Sequence, residues 1–342
     1  MARPYGLLRA GFPYLKTLGM RRVTNFPIDV ALGADKRVYI LERSEGAAQI
    51  RVWSLDDAER LTDDLVGIGG HGSDEGRFTW PVQVITDGDE NLFVSDEALH
   101  RISSFNKDGE FLGMWGEEGD GDGQLNAPSG IAFDPHENMY VVDTKNHRVQ
   151  KFTKDGRFLM NWGSFGSDPG QFNMPWGIHV DELGDVYVAD WRNDRVQRFN
   201  ADGEFIFEIG GPGSGDAEFN RPTGVAVDND GDIYVADTGN NRVQLFSEHG
   251  RYVQKFLGDS TLSRVARDYM LTNSYPNRLR EMANLEPEKL FHTPRSVRVD
   301  DEGRMYVADF GKYRVQVYQK EAIRLDEHQM SPPVRSPTLQ TN

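Results

Sequence analysis

An acidic and a basic side chain recur together along this chain at a constant spacing. Each of five aspartates lies 15 residues after a proline and five residues before an arginine. The pairs are Asp96 and Arg101, Asp143 and Arg148, Asp190 and Arg195, Asp237 and Arg242, and Asp309 and Arg314. A carboxylate beside a guanidinium could transfer protons or bind an anion. A pair present in every copy is, however, expected to serve the architecture of every copy, since aspartate accepts turn hydrogen bonds and arginine adds charge-assisted bonds.

The chemistry-bearing residues that differ between copies are better candidates for a functional site. When the copies are aligned on their prolines, His179 and Arg298 occupy the fourth position after the proline, where the other copies have alanine or isoleucine. Trp176 and Arg295 occupy the first position. A histidine and arginines near a carboxylate could perform acid–base chemistry, or the arginines could bind an anionic ligand. The predicted ligand-binding residues are Arg43, Trp80, Gln83, Trp176, His179, Arg295 and Arg298.

The repeat itself predicts the architecture that must position these residues. The copies begin at Pro27, Pro81, Pro128, Pro175, Pro222 and Pro294, and the second to fifth are each 47 residues apart. Within a copy, short β-rich runs are separated by turn sequences such as NKDG, TKDG and NADG, as expected for four short strands. Radial repetition of a four-stranded sheet forms a propeller. The sequence therefore predicts an all-β, six-bladed β-propeller.

The two ends of the repeat predict how the ring closes. The last copy contains no fourth strand after its third, and residues 14–19, YLKTLG, match the fourth-strand pattern of another copy, FLMNWG. We expect an N-terminal arm at 1–13 and a propeller at 14–318 whose N-terminal strand completes the last blade. Residues 259–289 have helical spacing and predict an insertion between blades five and six: a flap packed on the ring, a lid over the channel or a partner-binding knob. The Pro- and Ser-containing tail at 319–342 is expected to be disordered.

Three segments that follow the repeated aspartate carry a family resemblance. DTKNHRVQKF (143–152), DWRNDRVQRF (190–199) and DTGNNRVQLF (237–246) resemble NHL repeats. The resemblance covers roughly residues 14–318 and implies the six-bladed propeller of that family. It leaves the activity open, because one fold carries many functions.

Blade two also resembles an enzyme branch of the same superfamily. The segment LFVSDEALHRISSFNKDGEFLGMWG (92–116) is similar to the peptidyl-hydroxyglycine amidating lyases, and Arg43 falls where those lyases carry a substrate-binding arginine. Those enzymes hold zinc with three histidines, each directly after an inner-strand proline. The corresponding positions here are Val82, Trp176 and Arg295, and the catalytic tyrosine position falls near Thr144 or Lys145. The resemblance therefore implies the lyase scaffold without its zinc site.

Composition narrows the classes of partner and cofactor. The net charge of −16, from 54 acidic and 38 basic residues, disfavours nucleic-acid binding, which depends on phosphate neutralisation. The chain contains no cysteine, so disulfides and thiolate metal sites are excluded. No run approaches a membrane span, and the N-terminus does not follow the secretory pattern, so we expect a cytoplasmic location. The links HGSDEG (71–76) and GDGDG (119–123) resemble calcium loops but lack their full spacing. We therefore expect no cofactor, and structural calcium is the less favoured alternative.

These observations predict a non-catalytic NHL-type propeller. It would bind a peptide, a protein segment or a small anionic ligand at one face of its central channel. The alternative is a lyase or hydrolase related to the amidating lyases, with an altered and zinc-free site at the same place.

Overall fold

Each proline-led copy folds into one four-stranded antiparallel sheet. The structure is a computed structural model that describes residues 4, 6–21, 23–44, 46–58, 67–272, 278 and 284–330. The six sheets confirm the predicted all-β six-bladed propeller, and in each blade the strand that begins at the proline is followed outward by the second, third and fourth strands.

The strand bounds follow the repeat closely. Blade one contains Pro27–Leu32, Arg37–Ser44, Ala47–Ser54 and Ile68–Gly69. Blade two contains Pro81–Thr86, Leu92–Asp96, Arg101–Phe105 and Phe111–Trp115. Blade three contains Pro128–Phe133, Met139–Asp143, Arg148–Phe152 and Phe158–Trp162. Blade four contains Pro175–Val180, Val186–Asp190, Arg195–Phe199 and Phe205–Gly210. Blade five contains Pro222–Val227, Ile233–Asp237, Arg242–Phe246 and Tyr252–Phe256. Short 3-10 turns lie at Thr144–Asn146, Thr238–Asn240 and Phe310–Lys312.

Blade six joins the two ends of the chain. It contains Pro294–Val299, Arg304–Asp309 and Arg314–Gln319 from the last copy, and its outer strand is Tyr14–Leu18. Tyr14 lies opposite Tyr318 and Leu18 lies opposite Val315. The predicted closure by the N-terminal segment is confirmed.

A two-stranded ribbon outside the ring ties the chain ends together a second time. Gly6–Gly11 pairs with Glu321–Leu325, a strand inside the segment for which the sequence predicted disorder. Lys320 anchors this strand because its Nζ lies 2.6, 2.9 and 2.9 Å from carboxylate oxygens of Asp228, Asp230 and Asp232. Pairing with the N-terminal arm and burial of Lys320 therefore order the start of the predicted tail. A short helix follows at Glu327–Met330, and 331–342 lie outside the described residues.

The repeated aspartate and arginine hold each blade to its incoming link. In blade five, Asp237 accepts bonds from the backbone N–H of Asn220 at 2.8 Å and from Nε of Arg242 at 2.6 Å. Arg242 also donates to the carbonyls of Gly215 and Glu218 in the link. Blades three, four and six have the same aspartate–arginine bond. These bonds support the architectural interpretation of the repeated pair.

Blade two departs from this arrangement. Arg101 donates to the carbonyls of Ser73, Asp74 and Arg77, and its Nε has no hydrogen-bond partner among the residues that the structure describes. Asp96 instead accepts bonds from backbone N–H groups, including those of Thr79 and Trp80. The link carbonyls of the calcium-like HGSDEG segment thus bind a guanidinium.

The insertion between blades five and six begins with helix α1, Arg264–Thr272, and contains a shorter helix α2, Glu286–Lys289. Ser263 Oγ accepts a bond from the Ala266 N–H, as an N-cap residue does. Asp57 Oδ2 accepts a bond from the Val265 N–H at 3.1 Å, and Val265 packs against the cluster that contains Leu18. Helix α1 therefore rests on the rim between blades six and one. Residues 273–277 and 279–283 lie outside the described residues.

Candidate functional site

The six inner strands line the central channel and start at the same end, called here the mouth face. Two cavities lie along this channel. The first, nearer the prolines, has a volume of about 20 Å³ and is lined by Trp176, Arg295 and Arg298, among others. This space holds about one water molecule. A ligand larger than that is therefore expected to rest on the mouth face.

Arg43 lies at the mouth face on the second strand of blade one. Its guanidinium lies 4.4 Å from the ring centre of Trp80, and its Nη1 donates to the Pro81 carbonyl at 3.3 Å. Arg43 is only 7% exposed. Burial and the positive charge of Arg295 lower the pKa of Arg43 to about 10, against the opposing effect of Glu97. Among the described residues, no carboxylate lies within salt-bridge distance of Arg43.

Arg295 is the second residue of the inner strand of blade six, next to blade one in the closed ring. Its guanidinium lies 5.3 Å from the ring centre of Phe310, and its Nε is buried without a hydrogen-bond partner in the described part of the chain. Burial lowers the pKa of Arg295. Within the described part of the chain Arg295 also forms no salt bridge, so two neighbouring guanidinium groups at the mouth face lack a carboxylate partner.

Glu97 is a third charged group of this site, and the sequence prediction missed it. Its backbone N–H donates to the Trp80 carbonyl at 3.1 Å, while its Oε2 is buried and has no hydrogen-bond partner within the described ranges. Burial raises the pKa of Glu97; the charges of Arg43 and Lys145 oppose this shift, and Asp96 reinforces it. A signal was available in the repeat, because the residue after the repeated aspartate is threonine, tryptophan or phenylalanine in the other four copies.

Aromatic rings surround the opening. Trp80 is 43% exposed. The rings of Trp176 and Trp191 lie 6.1 Å apart, and Arg221 lies 5.3 Å from the ring centre of Trp191. On the other side, Tyr313 packs on Phe26 with ring centres 4.6 Å apart. The mouth face therefore combines aromatic surfaces with arginines, the residue types enriched in binding surfaces.

Gln83 has a different environment from these residues. It is buried beside the first cavity, and its Oε1 accepts a bond from the Ile131 N–H at 2.9 Å. Asp29 forms the equivalent bond one blade earlier, from the Val84 N–H to Oδ2 at 3.0 Å. The Gln83 side chain thus ties the inner strands of blades two and three together.

His179 and Arg298 lie further along the channel, at a second cavity of about 240 Å³. Arg298 forms an ion pair with Asp29, with Nη2 and Oδ2 2.7 Å apart, and its Nε donates to the Val30 carbonyl. Burial and the charge of Arg298 lower the pKa of His179 to about 3, although the Val227 carbonyl opposes this shift. The structure therefore divides the predicted group. The mouth face is surrounded by Arg43, Trp80, Trp176 and Arg295. His179 lines the second cavity, and Arg298 borders both cavities.

In the described ranges, no group of three or more His, Asp or Glu side chains is placed to hold a metal ion. Likewise, none of the helices in these ranges has the length and apolar character to cross a membrane.

Two protein-family models match parts of this sequence. Residues 219–246 and 291–318 match the NHL repeat. The chain contains NHL repeats. Residues 120–217 match the SMP-30/Gluconolactonase/LRE-like region. No curated protein matches the chain in sequence.

Solved structures share the fold over most of the chain. A streptogramin B lyase is 13% identical with a TM-score of 0.57, over 90% of this chain and 98% of the lyase. A protein of unknown function from Bacteroides thetaiotaomicron VPI-5482 is 18% identical with a TM-score of 0.61, over 92% of this chain and 77% of that protein. The WD40 β-propeller domain of Doa1 is 10% identical with a TM-score of 0.57, over 91% of this chain and 98% of that domain. At these identities the likeness concerns the fold alone.

Proposed function

We propose that this NHL propeller binds an anionic ligand at the mouth face, without metal chemistry. The ligand is an acidic peptide or protein segment, or a small anion. One observation carries the proposal: buried Arg43 and half-buried Arg295 are neighbours with no carboxylate in salt-bridge range among the described residues. An unpaired charge that is largely removed from water is costly. Two such arginines at one opening are best explained by an anion that pairs with both.

The surroundings of the two arginines support this assignment. Stacking on Trp80 and Phe310 holds each guanidinium in place, while unused N–H groups remain for paired bonds to a carboxylate, sulfate or phosphate oxygen. Exposed Trp80 and the Trp176–Trp191 pair offer apolar contact beside the charge. The mouth face is thus locally cationic on a chain whose net charge is −16.

Isothermal titration calorimetry with citrate and with a hexaglutamate peptide tests this function. We expect both probes to bind the wild-type protein and each of Arg43→Gln and Arg295→Gln to weaken binding about tenfold, because a hydrogen bond to a charged group contributes about 1.5–3 kcal/mol. The double variant should not bind. Arg157→Gln, which changes an exposed arginine in a turn of blade three, should bind like the wild type. Failure of both probes to bind, or equal binding by the double variant, would contradict the proposal.

A second candidate function is enzymatic, a lyase or hydrolase that uses the same face. Glu97 favours it, because a carboxyl group with a free buried oxygen and a raised pKa lies beside an anion-binding pair, as acid–base groups in active sites do. The SMP-30/gluconolactonase-like match motivates lactones as the first substrates to assay. Turnover that Glu97→Gln abolishes, while citrate binding persists, would establish this function. Turnover unaffected by the substitution would remove Glu97 from it.

A further inference from the structure

We infer that the second cavity is a separate binding site for an ω-amino carboxylate, a methylene chain with a carboxylate at one end and an ammonium group at the other. The carboxylate would contact Arg298, the chain would lie against the apolar wall, and the ammonium would lie at an acidic rim. The cavity is called the far chamber below.

The far chamber has the size and the wall of a small-molecule site. Its volume of about 240 Å³ exceeds the roughly 150 Å³ of a protein cavity that holds benzene. Most of its wall is apolar: Val30, Ala31, Leu32, Val84, Ile85, Ile131, Ala132, Phe133, Val180, Ala226 and Val299. Pockets with an apolar wall and a few convergent polar groups are typical of ligand sites.

The inner end of the far chamber contains a guanidinium group. Of the described residues that line the far chamber, Arg298 is the one with a charged side chain. Its Nε and Nη2 bind the Val30 carbonyl and Asp29, whereas Nη1 has no hydrogen-bond partner in those ranges. His179 lies nearby in its neutral form, since its pKa is lowered to about 3. One guanidinium nitrogen of Arg298 therefore remains to bind an anionic group, since the N–H of the neutral imidazole donates to the Val227 carbonyl.

The outer end is acidic. The far chamber shares His179, Val180 and Val299 with the wall of a recess of about 170 Å³. The recess contains the carboxylates of Asp181, Glu182, Asp228 and Asp301, of which Asp228 is paired with Lys320. Exposed Asp301 receives one hydrogen bond, at 3.4 Å from Asn229 Nδ2. Carboxylates at the opening attract a cationic group and repel a second anionic one. A guanidinium N–H in the far chamber and carboxylates in the adjoining recess match the two ends of an ω-amino carboxylate.

Calorimetry with a charge-matched series tests the site. The series consists of 6-aminohexanoate, hexanoate, hexylamine and adipate, with 4-aminobutanoate and 8-aminooctanoate to vary the length. We expect the best ω-amino carboxylate to bind at least fivefold more tightly than hexanoate or hexylamine, and adipate to bind most weakly. Equal or tighter binding of adipate, or the absence of binding by all three ω-amino carboxylates, overturns the proposal.

Variants assign the two ends. Arg298→Gln should remove the advantage of 6-aminohexanoate over hexylamine, and Asp301→Asn should reduce its advantage over hexanoate. Val299→Phe fills the junction of chamber and recess, and should weaken every ligand even if Arg298→Gln does not fold. Leu159→Phe on an exposed outer strand is the control and should bind like the wild type.

The double variant Arg43→Gln/Arg295→Gln should also bind the series normally, so failure of binding at the mouth face and failure of binding in the far chamber are distinguishable. Unchanged binding by Val299→Phe would place the ligand elsewhere and refute the site.

Discussion

Arg43 and Arg295 come from blades one and six, the two blades that meet where the ring closes, and they repel each other at the mouth face. Neither has a carboxylate partner in the described ranges, although Asp96 and Glu97 lie close enough to act on the charge of Arg43. In blade two, Asp96 binds backbone N–H groups and does not pair with Arg101. The local departure from the repeat therefore coincides with the place where charge is left uncompensated.

Replacing an unpaired arginine should not destabilise the fold, in contrast to replacing a paired one. Arg295→Gln removes a half-buried charge that lacks a carboxylate partner, so we expect the free energy of unfolding to stay the same or to rise. Arg242→Gln leaves Asp237 buried without its ion-pair partner, which should cost about 3–5 kcal/mol. Urea unfolding of the two variants checks this contrast. A larger loss for Arg295→Gln would show that Arg295 has a structural role instead.

His179 should make the protein less stable as the pH falls below neutrality. In the unfolded chain a histidine binds a proton near pH 6.5, whereas in the folded protein burial and Arg298 lower the pKa of His179 to about 3. The unfolded state therefore binds more protons between these values, and stability is lost as pH falls through this window. Between pH 7.5 and pH 5 the contribution is about 2 kcal/mol.

The measurement is the difference in unfolding free energy between pH 7.5 and pH 5. His179→Gln should lose less stability than the wild type over this interval, because it carries no imidazole to protonate. His136→Gln, at an exposed turn position, should keep the wild-type pH dependence. Identical pH dependence in the wild type and His179→Gln would show that His179 is readily protonated in the folded state.

The strand that closes the ring should tolerate substitution on one face only. Leu18 is fully buried between blades six and one, so Leu18→Ala should cost about 2–5 kcal/mol. Leu15 in the same strand is 43% exposed, so Leu15→Ala should change stability by no more than about 0.5 kcal/mol. Thermal unfolding of the pair tests the closure directly. Similar small effects of both substitutions would argue that the N-terminal strand contributes little to blade six.

The repeat made most of the fold predictable. A proline at the start of each inner strand and an aspartate at the end of each second strand fix the strand bounds within every copy, because turn chemistry recurs at the same offsets. The closing strand was also predictable, since YLKTLG repeats the pattern of a fourth strand. The ribbon was not, because Gly6–Gly11 and Glu321–Leu325 lie at opposite ends of the chain and only the closed ring brings them together.

The candidate site was less predictable than the fold. Alignment on the prolines selected residues of the inner strands, and two of these, Trp176 and Arg295, line the first cavity. It did not resolve depth along the channel axis. A shift of three residues along an inner strand separates Arg295 from Arg298 by about 10 Å of strand length, enough to place His179 at the far chamber. Glu97 was missed because the prediction compared inner strands and not the turns that follow the repeated aspartates.

Glu97 should weaken anion binding at the mouth face when it is ionised. Its carboxylate adds a negative charge near Arg43, so Glu97→Gln should strengthen sulfate binding at pH 8 about fivefold, the effect of roughly 1 kcal/mol of like-charge repulsion in a partly solvated site. Burial raises the pKa of Glu97 above 4.5. As the pH falls toward this raised value, the wild-type protein should therefore bind sulfate more tightly and approach the variant, whose affinity does not follow this titration.

Sulfate suits the measurement because its charge is constant over the interval. Glu110→Gln, an exposed change in the same blade, should leave affinity and its pH dependence as in the wild type. If Glu97→Gln binds sulfate no better than the wild type at pH 8, the carboxylate lies outside the field of the bound anion.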